Sequence, residues 1–271
     1  MLVPMDLDRS SSLVPDLLVL PEAGSTNDVL AALAAEGEAP NFQTVVTLNQ
    51  TGGRGRLGRV WVAPPGKTLA VSVLLRPVSP SGVPLGIEQF GWLPLIAGVA
   101  MSQSIDALVG ARRTRLKWPN DVQIDGLKVC GVLAELVPSA DAVIIGAGVN
   151  LTLEADELPT PTATSLAVAG VGVRGDELVD LVLSGYLGAL RELVDRFVAE
   201  GARGGGSGIQ QLVSAWCATL GQEVRVQLPG GDDLVGTATS IDDTGRLVVR
   251  RPMDGALQAV AAGDVTHLRY E

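Results

Sequence analysis

The chain has 271 residues with 46% hydrophobic and 18% charged residues, a globular composition with room for one large domain and a small appendage. Its formal net charge of −10 excludes broad nucleic-acid binding, which needs a basic surface. Two separated cysteines, Cys130 and Cys217, and one histidine, His267, leave almost no ligands for a zinc or haem site and little basis for a Ser-His-Asp triad.

The N-terminal segment does not resemble a targeting sequence. Residues 1–15 carry acids where a signal peptide needs cations, and prolines interrupt their apolar run. We find no stretch with the roughly 20 apolar residues of a membrane span. Together with the isolated thiols, these features predict a cytoplasmic protein that binds no membrane. The residues before Ser25 are also too few for a helix-turn-helix domain.

The first half of the chain predicts helices and strands in irregular order. Ser25 and Asp28 form an S-x-x-D capping box at the start of a helix. Residues 43–50 and 68–77 predict two strands on either side of a loop rich in glycine and arginine. Residues 87–110 predict a long apolar helix with an interruption near Pro94.

A β-hairpin and a further strand follow. Asp125-Gly126 supplies a two-residue turn between residues 121–124 and a longer strand that reaches Leu136. Residues 142–151 are a continuous apolar run that predicts another buried strand. Since strands and helices do not alternate regularly, we expect an α+β fold.

The second half predicts two helices, 176–200 and 209–220, joined by the glycine-rich segment 201–208. After Cys217 short alternating strands are separated by turn sequences, which predicts a small antiparallel barrel or sandwich. We therefore expect two domains, 1–217 and 218–271.

The segment GGRGRLGRVW (52–61) contains the letters of a dinucleotide-binding fingerprint, G-x-G-x-x-G. That motif needs a helix after it, but residues 59–67 contain β-branched residues followed by two prolines, so we reject it. The remaining interpretation is a glycine-rich loop that closes over an anion with Arg54, Arg56 and Arg59. The alternative is a solvated basic loop, although such a loop does not need four glycines.

Four other positions are ambiguous from the residues alone. KWPND (117–121) is either a ligand rim or a turn that ends a strand. Lys128 interrupts an apolar strand and is either an outward-facing residue or a partly buried cation with an anionic partner. Ser25–Asn27 cap a helix and also fit a ligand site, and Asn150 is similarly open. His267 is most simply a structural residue of the small barrel.

In this order the segments resemble the biotin protein ligase family. The resemblance covers about half of the chain and is carried by STN (25–27), LNQTGGRGRLGRVW (48–61), KWPND (117–121), KVCGVLAE (128–135) and GAGVN (146–150). It implies an α+β fold: a mixed β-sheet with packed helices, like the catalytic domain of class II aminoacyl-tRNA synthetases, followed by an SH3-like barrel. The implied reaction joins biotin to ATP as biotinyl-AMP and then transfers biotin to one lysine of a carrier protein.

The resemblance also implies a role for each residue that matches a family motif. The implied catalytic residues are Lys128, Arg56 and Arg54. The implied biotin-binding residues are Ser25, Thr26, Asn27, Gln50, Gly53, Arg54, Gly55, Arg56, Lys128 and Gly131. The implied adenylate-binding residues are Arg59, Trp61, Lys117, Asn120, Asp121 and Asn150, and Asp121 is the candidate for orienting or deprotonating the incoming lysine.

The implied cofactors are biotin and ATP as substrates, with Mg²⁺ carried on the ATP phosphates and no identified protein ligands. The implied partner is the biotin carboxyl carrier domain of acyl-CoA carboxylases, without nucleic acid or membrane, and the expected state is a monomer or weak homodimer. Family members that act as repressors carry an N-terminal DNA-binding domain, which this sequence lacks, so we expect ligase activity without operator binding.

Two features of the loops give further expectations. The loop 52–60 is predicted to be disordered without ligand and ordered by biotinyl-AMP, because an acyl-adenylate must be shielded from water. The second loop, 153–165, has no aromatic side chain to stack on adenine.

Two other functions remain as alternatives. One is a lipoate protein ligase, which usually has a histidine in its glycine-rich motif, and the other is a non-catalytic biotin- or nucleotide-binding regulator. The intact Arg54, Arg56 and Lys128 set argues against the second.

Overall fold

A mixed seven-stranded sheet forms the centre of the larger part of the fold. The computed structural model describes residues 5–267 except 38, 63, 111–112, 138–140, 203–205, 207, 229–231 and 262–263. The strands are β1 (Leu17–Leu20), β2 (Thr44–Thr47), β3 (Thr68–Leu75), β4 (Thr114–Lys117), β5 (Asp121–Ile124), β6 (Leu127–Leu136) and β7 (Val143–Asn150). Their order is β1-β2-β3-β7-β6-β5-β4, with β1 parallel to β2 and every other neighbouring pair antiparallel. The predicted α+β fold with a mixed sheet is confirmed.

The central strands are buried on both faces because helices cover the sheet on both sides. All eight residues of β3 are buried, which explains the continuous apolar run in its sequence. The predicted strand at 43–50 is shorter, Thr44–Thr47, since the chain turns into the glycine-rich loop after it. Strand β1 was not predicted, because this four-residue strand in the segment between Pro15 and Pro21 is too short to give a periodic signal.

Five α-helices are described: α1 (Asp8–Ser11), α2 (Thr26–Ala35), α3 (Leu93–Val109), α4 (Gly175–Ala199) and α5 (Gly208–Trp216). A 3-10 helix, Ile87–Trp92, precedes α3, and Pro94 lies in the first turn of α3, so the predicted interruption is confirmed. Contrary to the sequence expectation, Ile87–Val109 is long and apolar enough to cross a membrane by length and composition. However, 67% of its apolar 18-residue window is buried, because α3 packs against α4 and the sheet.

The start of α2 differs in part from its prediction. Ser25 is the N-cap with extended backbone, φ −147° and ψ 129°, but its side chain makes no capping hydrogen bond. The capping-box prediction was therefore wrong. The Asp28 carboxylate is bound by the Arg54 guanidinium, and this competing charged partner lies far away in the sequence.

The predicted hairpin is confirmed. Ile124 pairs with Leu127, and both residues between them have positive φ: 49° at Asp125 and 83° at Gly126. Two successive left-handed residues match the right-handed twist of the strands they join. The hairpin brings Asp121, at the start of β5, opposite Gly131 on β6.

A smaller antiparallel sheet follows α5. Its strands are β8 (Glu223–Gln227), β9 (Asp233–Ile241), β10 (Leu247–Arg250), β11 (Leu257–Val260) and β12 (Asp264–His267), in the order β11-β10-β9-β8-β12. The antiparallel strands predicted after Cys217 are confirmed. Helix α5 ends at Trp216, before the Leu220 end predicted for it. Two buried indoles hold the sheet in place: Trp92 Nε1 donates to the Asp243 carbonyl (2.8 Å) and Trp118 Nε1 to the Gly245 carbonyl (3.1 Å).

Candidate active site

Two adjoining cavities open beside the C-terminal half of β7. The first, of about 150 Å³, lies over the sheet at the start of α2. The second, of about 410 Å³, lies between the sheet, the loop at 159–163 and β12. The residues that line both cavities are Arg59, Val60, Trp61, Asn120, Asp121 and Lys128. The arrangement provides one compartment for each of two ligands and a shared wall where their ends meet.

A row of small residues forms the floor of the first cavity. Ala70, Gly148 and Gly131 are direct neighbours across β3, β7 and β6. The Trp61 indole lies against this row: a methyl group built at Gly148 would be 2.5 Å from its Cε2, and one built at Gly131 would be 3.3 Å from its Cζ3. The glycines are therefore needed for close approach of the tryptophan. The Trp61 Nε1 is buried and has no hydrogen-bond partner among the described residues.

Thr26, Asn27 and Gln50 line the end of the first cavity next to α2, and Ser72 and Glu135 bind them from behind. Gln50 Oε1 accepts from the Thr26 backbone N–H at 3.0 Å. Ser72 Oγ lies 2.7 Å from Thr26 Oγ1 and 2.6 Å from Asn27 Oδ1. Asn27 Nδ2 donates to Glu135 at 2.6 Å. A polar ligand end that enters here meets hydroxyl and amide groups whose orientation is already fixed.

Lys128 and Asp121 lie where the two cavities meet. The Lys128 Nζ is 2.6 Å from Asp121 Oδ1 and 5.7 Å from the centroid of the Trp61 ring. The Lys128 backbone donates to the Thr162 carbonyl and accepts from the Thr164 N–H, both at 2.8 Å. Lys128 is thus the partly buried cation with an anionic partner that the sequence left as one of two possibilities.

Positive charge dominates this junction. Arg56, Arg59, Lys117 and Lys128 line the cavities, and Asp121 is the only carboxylate among the described lining residues. Burial lowers the pKa of Lys117, which the Asp121 charge raises and the Lys128 charge lowers again. Burial likewise lowers the pKa of Arg56. Cations kept close together in a partly desolvated site favour an anionic ligand.

Asn120 links β6 to Arg56 through hydrogen bonds. Its side-chain Nδ2 donates to the Val132 carbonyl at 2.7 Å, and its backbone carbonyl accepts from the Val132 N–H at 2.8 Å. The Arg56 guanidinium then donates to Asn120 Oδ1 at 3.3 Å. These bonds join the KWPND segment, β6 and the tip of the glycine-rich loop.

The glycine-rich loop is a small hairpin. Arg54 and Val60 form an isolated antiparallel bridge, and the Gly55 N–H donates to the Arg59 carbonyl at 2.7 Å. Its tip is a 3-10 turn, Arg56–Gly58, with φ of 58° at Leu57. The hairpin carries Arg56 and Arg59 to the cavities, whereas the Arg54 guanidinium is bound by the carboxylates of Asp28 and Glu135.

The structure brings most of the predicted site residues together. The first cavity is lined by Thr26, Asn27, Gln50, Arg54, Gly55, Arg56, Lys128 and Gly131, and the second by Lys117 and Asn150 with the six shared residues. Ser25 and Gly53 line neither cavity. Ser25 is the N-cap residue of α2 and precedes two residues that line the first cavity. The Gly53 carbonyl accepts from the N–H of Trp61, which lines both cavities, at 3.0 Å.

Sequence reasoning missed several residues that line the cavities or bind the residues lining them. Ser72 lies inside the apolar strand β3, and the one sequence signal for it was a hydroxyl group among apolar residues. The wall of the second cavity includes Pro159, Thr160, Thr162 and Ala163, from the loop noted only for lacking an aromatic residue, and Val265 from β12. Glu135 was quoted in a family motif but given no role. No group of three metal-ligating side chains is found among the described residues.

Comparison with known proteins identifies relatives along most of the chain. Residues 20–150 match the Biotin/lipoate A/B protein ligase family, and residues 219–268 match the Biotin protein ligase C terminal domain. The chain is 39% identical over 253 residues to the biotin–[acetyl-CoA-carboxylase] ligase of Mycobacterium tuberculosis, covering 93% of this chain and 88% of the relative.

Two solved structures are also similar. The biotin protein ligase of Aquifex aeolicus in complex with biotin and ATP matches with a TM-score of 0.70 and 26% identity, over 94% of this chain and all of the other. The biotin protein ligase of Leishmania major in complex with biotinyl-5-AMP matches with a TM-score of 0.58 and 26% identity, over 92% of this chain and 99% of the other.

Proposed function

Since the chain belongs to the biotin protein ligase family, we infer that it is an ATP-dependent ligase that forms biotinyl-5′-AMP with release of pyrophosphate and then transfers biotin to a protein lysine. The observation that carries this function is the pair of cavities that meet at Lys128 among several cations. The first cavity suits a small bicyclic acid and the second a nucleotide. The residues shared by both cavities lie where the acid and the nucleotide would be joined.

We propose that biotin occupies the first cavity. Its ureido ring would lie against Thr26, Asn27 and Gln50, whose donors and acceptors are already oriented. Its thiophane ring would pack against the Trp61 indole, which itself lies over the row of small residues. The carboxylate would then extend toward Lys128 and Arg56, at the opening to the second cavity.

The chemistry explains the cations. When a carboxylate oxygen attacks the α-phosphorus of ATP, a new O–P bond forms, the bond to the bridging oxygen breaks, and pyrophosphate leaves with that electron pair. Two anions must approach each other, so fixed positive charges lower the barrier. We assign Lys128 and Arg56 to the reacting carboxylate and α-phosphate, Arg59 and Lys117 to the nucleotide phosphates, and Asn120 and Asn150 to the adenylate side.

The donor set provides no protein site for a metal ion of its own, since Asp121 is the one carboxylate among the described cavity residues. We propose that Mg²⁺ arrives bound to the ATP phosphates. Asp121 would have its main role after adenylation: the acceptor amine is mostly protonated at neutral pH, and a carboxylate beside the acyl group orients it and favours its deprotonation.

The remaining parts of the proposal concern partners and organisation. We propose the biotin carboxyl carrier domain of an acyl-CoA carboxylase as the acceptor, a cytoplasmic location, and ligase activity without operator binding. The division into a catalytic domain, 1–217, and a C-terminal domain, 218–271, remains our prediction, as does a monomer or weak homodimer.

Biotin-dependent exchange of pyrophosphate into ATP tests the function. We expect exchange with biotin, none with lipoate, and a loss of roughly 10²-fold or more in Lys128→Ala, because a cation at the reacting oxygens is removed. Asp141→Asn, which removes a peripheral ion pair with Arg76, serves as the matched control with normal exchange. Exchange with lipoate would favour a lipoate ligase, and binding of biotin without exchange would favour a regulator.

A further inference from the structure

The side chain of Arg54 differs from the other arginines of the loop in what it contacts. Its two terminal nitrogens donate to the two carboxylate oxygens of Asp28, both at 2.6 Å, in a bidentate pair. One of them also lies 3.2 Å from both oxygens of Glu135. One cation thus lies between two carboxylates, and this group of three carries a net charge of −1.

A group with a net negative charge repels an acyl phosphate, so Arg54 in this arrangement does not provide a counter-charge for one. Arg56, two residues further, donates to the neutral amide oxygen of Asn120 and keeps its charge available to a ligand. The guanidinium of Arg54 also holds the pKa of Asp28 below its usual range, so the pair stays ionised at neutral pH.

The two carboxylates come from different elements of the fold. Asp28 lies in the first turn of α2, and Glu135 lies near the end of β6. The loop meets the same region through its backbone, since the Thr51 and Gly52 N–H groups donate to the carbonyls of Ala23 (2.9 Å) and Gly24 (2.7 Å). The stem of the loop, residues 51–54, is therefore held by two backbone bonds and one bidentate ion pair.

Glu135 has a second partner that lines the first cavity. Its Oε2 accepts from Asn27 Nδ2 at 2.6 Å, and Asn27 Oδ1 lies 2.6 Å from Ser72 Oγ. One carboxylate thus fixes both the anchor of the loop and the orientation of an amide that faces the ligand. Without it the Asn27 amide could turn over and present its opposite end.

We propose that Asp28 and Glu135 are positioning residues that fix Arg54 as the anchor of the glycine-rich loop, and that Glu135 sets the orientation of Asn27 for the ligand. Only the tip, residues 55–60, is then left to rearrange over the ligand. This rests on the proposed function where it concerns biotin. It changes the role of Arg54 from catalytic counter-charge, implied by the family resemblance, to anchor.

Steady-state kinetics separate an anchor from a catalytic cation. We expect Glu135→Gln and Arg54→Gln to raise the KM for biotin about tenfold, with kcat within about threefold and the KM for ATP unchanged, since uniform binding is lost far from the reacting atoms. Arg56→Gln should lower kcat at saturating biotin by roughly 10²-fold. A loss of kcat in Arg54→Gln as large as that in Arg56→Gln overturns the proposal.

A second measurement needs no substrate. Trypsin cleaves after arginine, so the rate of cleavage after Arg56 and Arg59, followed by mass spectrometry, reports how firmly the loop is held. Asp28→Asn and Glu135→Gln are expected to raise this rate about threefold or more by removing charge-assisted hydrogen bonds. Asp28 is an exposed side chain, so its replacement leaves the core intact, and Asp141→Asn is the control with the wild-type rate.

The two measurements have separate outcomes. Equal cleavage rates in wild type, Asp28→Asn and Glu135→Gln overturn the anchor, whatever the protein's substrate. A wild-type protein without biotin-dependent exchange contradicts the proposed function, and the cleavage rates still decide whether the anchor exists.

Discussion

Lys128 and Asp121 form an ion pair of 2.6 Å between adjacent strands, at the point where the two cavities meet. The pair places the only carboxylate of the described cavity residues beside the proposed site of the acyl phosphate. A carboxylate there hinders the first reaction by its charge and helps the second by holding the incoming amine. The two half-reactions should therefore respond differently to its removal.

Asp121→Asn tests this difference. We expect transfer of biotin from preformed biotinyl-AMP to a carrier domain to fall about 10²-fold, because the amine loses its orienting carboxylate. Pyrophosphate exchange should stay constant or rise, since the cations remain and the opposing negative charge is removed. Single-turnover transfer and exchange measure the two steps, and Asp125→Asn, on the exposed turn of the same hairpin, is the control. Equal losses in both steps would remove the role in transfer.

Lys117 predicts a pH dependence of nucleotide binding. Burial lowers its pKa, so the ammonium loses its proton, and its charge, at a lower pH than an ordinary lysine. The KM for ATP is expected to rise as the pH increases through that lowered pKa. Lys117→Arg should shift the rise of the KM for ATP to higher pH. Asp121→Asn should shift it to lower pH, because the Asp121 charge raises the pKa of Lys117. If the KM for ATP rises at the same pH in Lys117→Arg as in the wild type, another group causes the rise.

The close contact of Trp61 with Gly148 predicts a large effect of one methyl group. Gly148→Ala places a Cβ 2.5 Å from the indole, so the ring must leave its position against the sheet. We expect weaker binding of both biotin and ATP, measured by calorimetry, because Trp61 lines both cavities. Gly188→Ala on α4 is the matched control: among the described residues its Cβ meets Leu13 alone, at 4.0 Å, and the substitution should stabilise the helix by about 0.5–1 kcal/mol. Unchanged binding in Gly148→Ala would show that the indole moves freely.

Ordering of the glycine-rich loop by the reaction intermediate is a further expectation. Its tip carries two exposed apolar residues, Leu57 and Val60, at 65% and 78% exposure, and closing over biotinyl-AMP would bury part of them. Crystals with and without a stable biotinyl-AMP analogue should show residues 55–60 ordered only in the complex. A loop with the same conformation and order in both would contradict this.

Much of the fold was predictable because its signals are local. The Asp125-Gly126 turn, the buried strand β3 and the break before α3 each follow from a few adjacent residues. The capping box at Ser25 failed for a different reason. Asp28 has a bidentate arginine partner 26 positions away, and no local rule weighs a charged pair that only the folded chain creates.

The site divides in the same way. Lys128 was recognisable as a cation that interrupts an apolar strand, and the loop arginines by their glycines. Their separate roles were not recognisable: Arg54 and Arg56 are two residues apart in one motif, yet one contacts two carboxylates and the other a neutral amide. Which carboxylates lie near each arginine depends on how α2, β5 and β6 come together.

Docking of the C-terminal sheet predicts a selective effect on ATP. Trp92 is fully buried and donates its indole N–H to the Asp243 carbonyl, and Val265 of β12 lines the second cavity but not the first. Trp92→Phe keeps an aromatic ring but leaves that carbonyl without its donor, which should lower the free energy of unfolding by about 1–3 kcal/mol in urea titrations. The KM for ATP should rise while the KM for biotin stays constant. Trp216→Phe, a half-buried tryptophan on α5, should change neither constant, and an equal rise of both in Trp92→Phe would mean that the C-terminal sheet acts on the whole site.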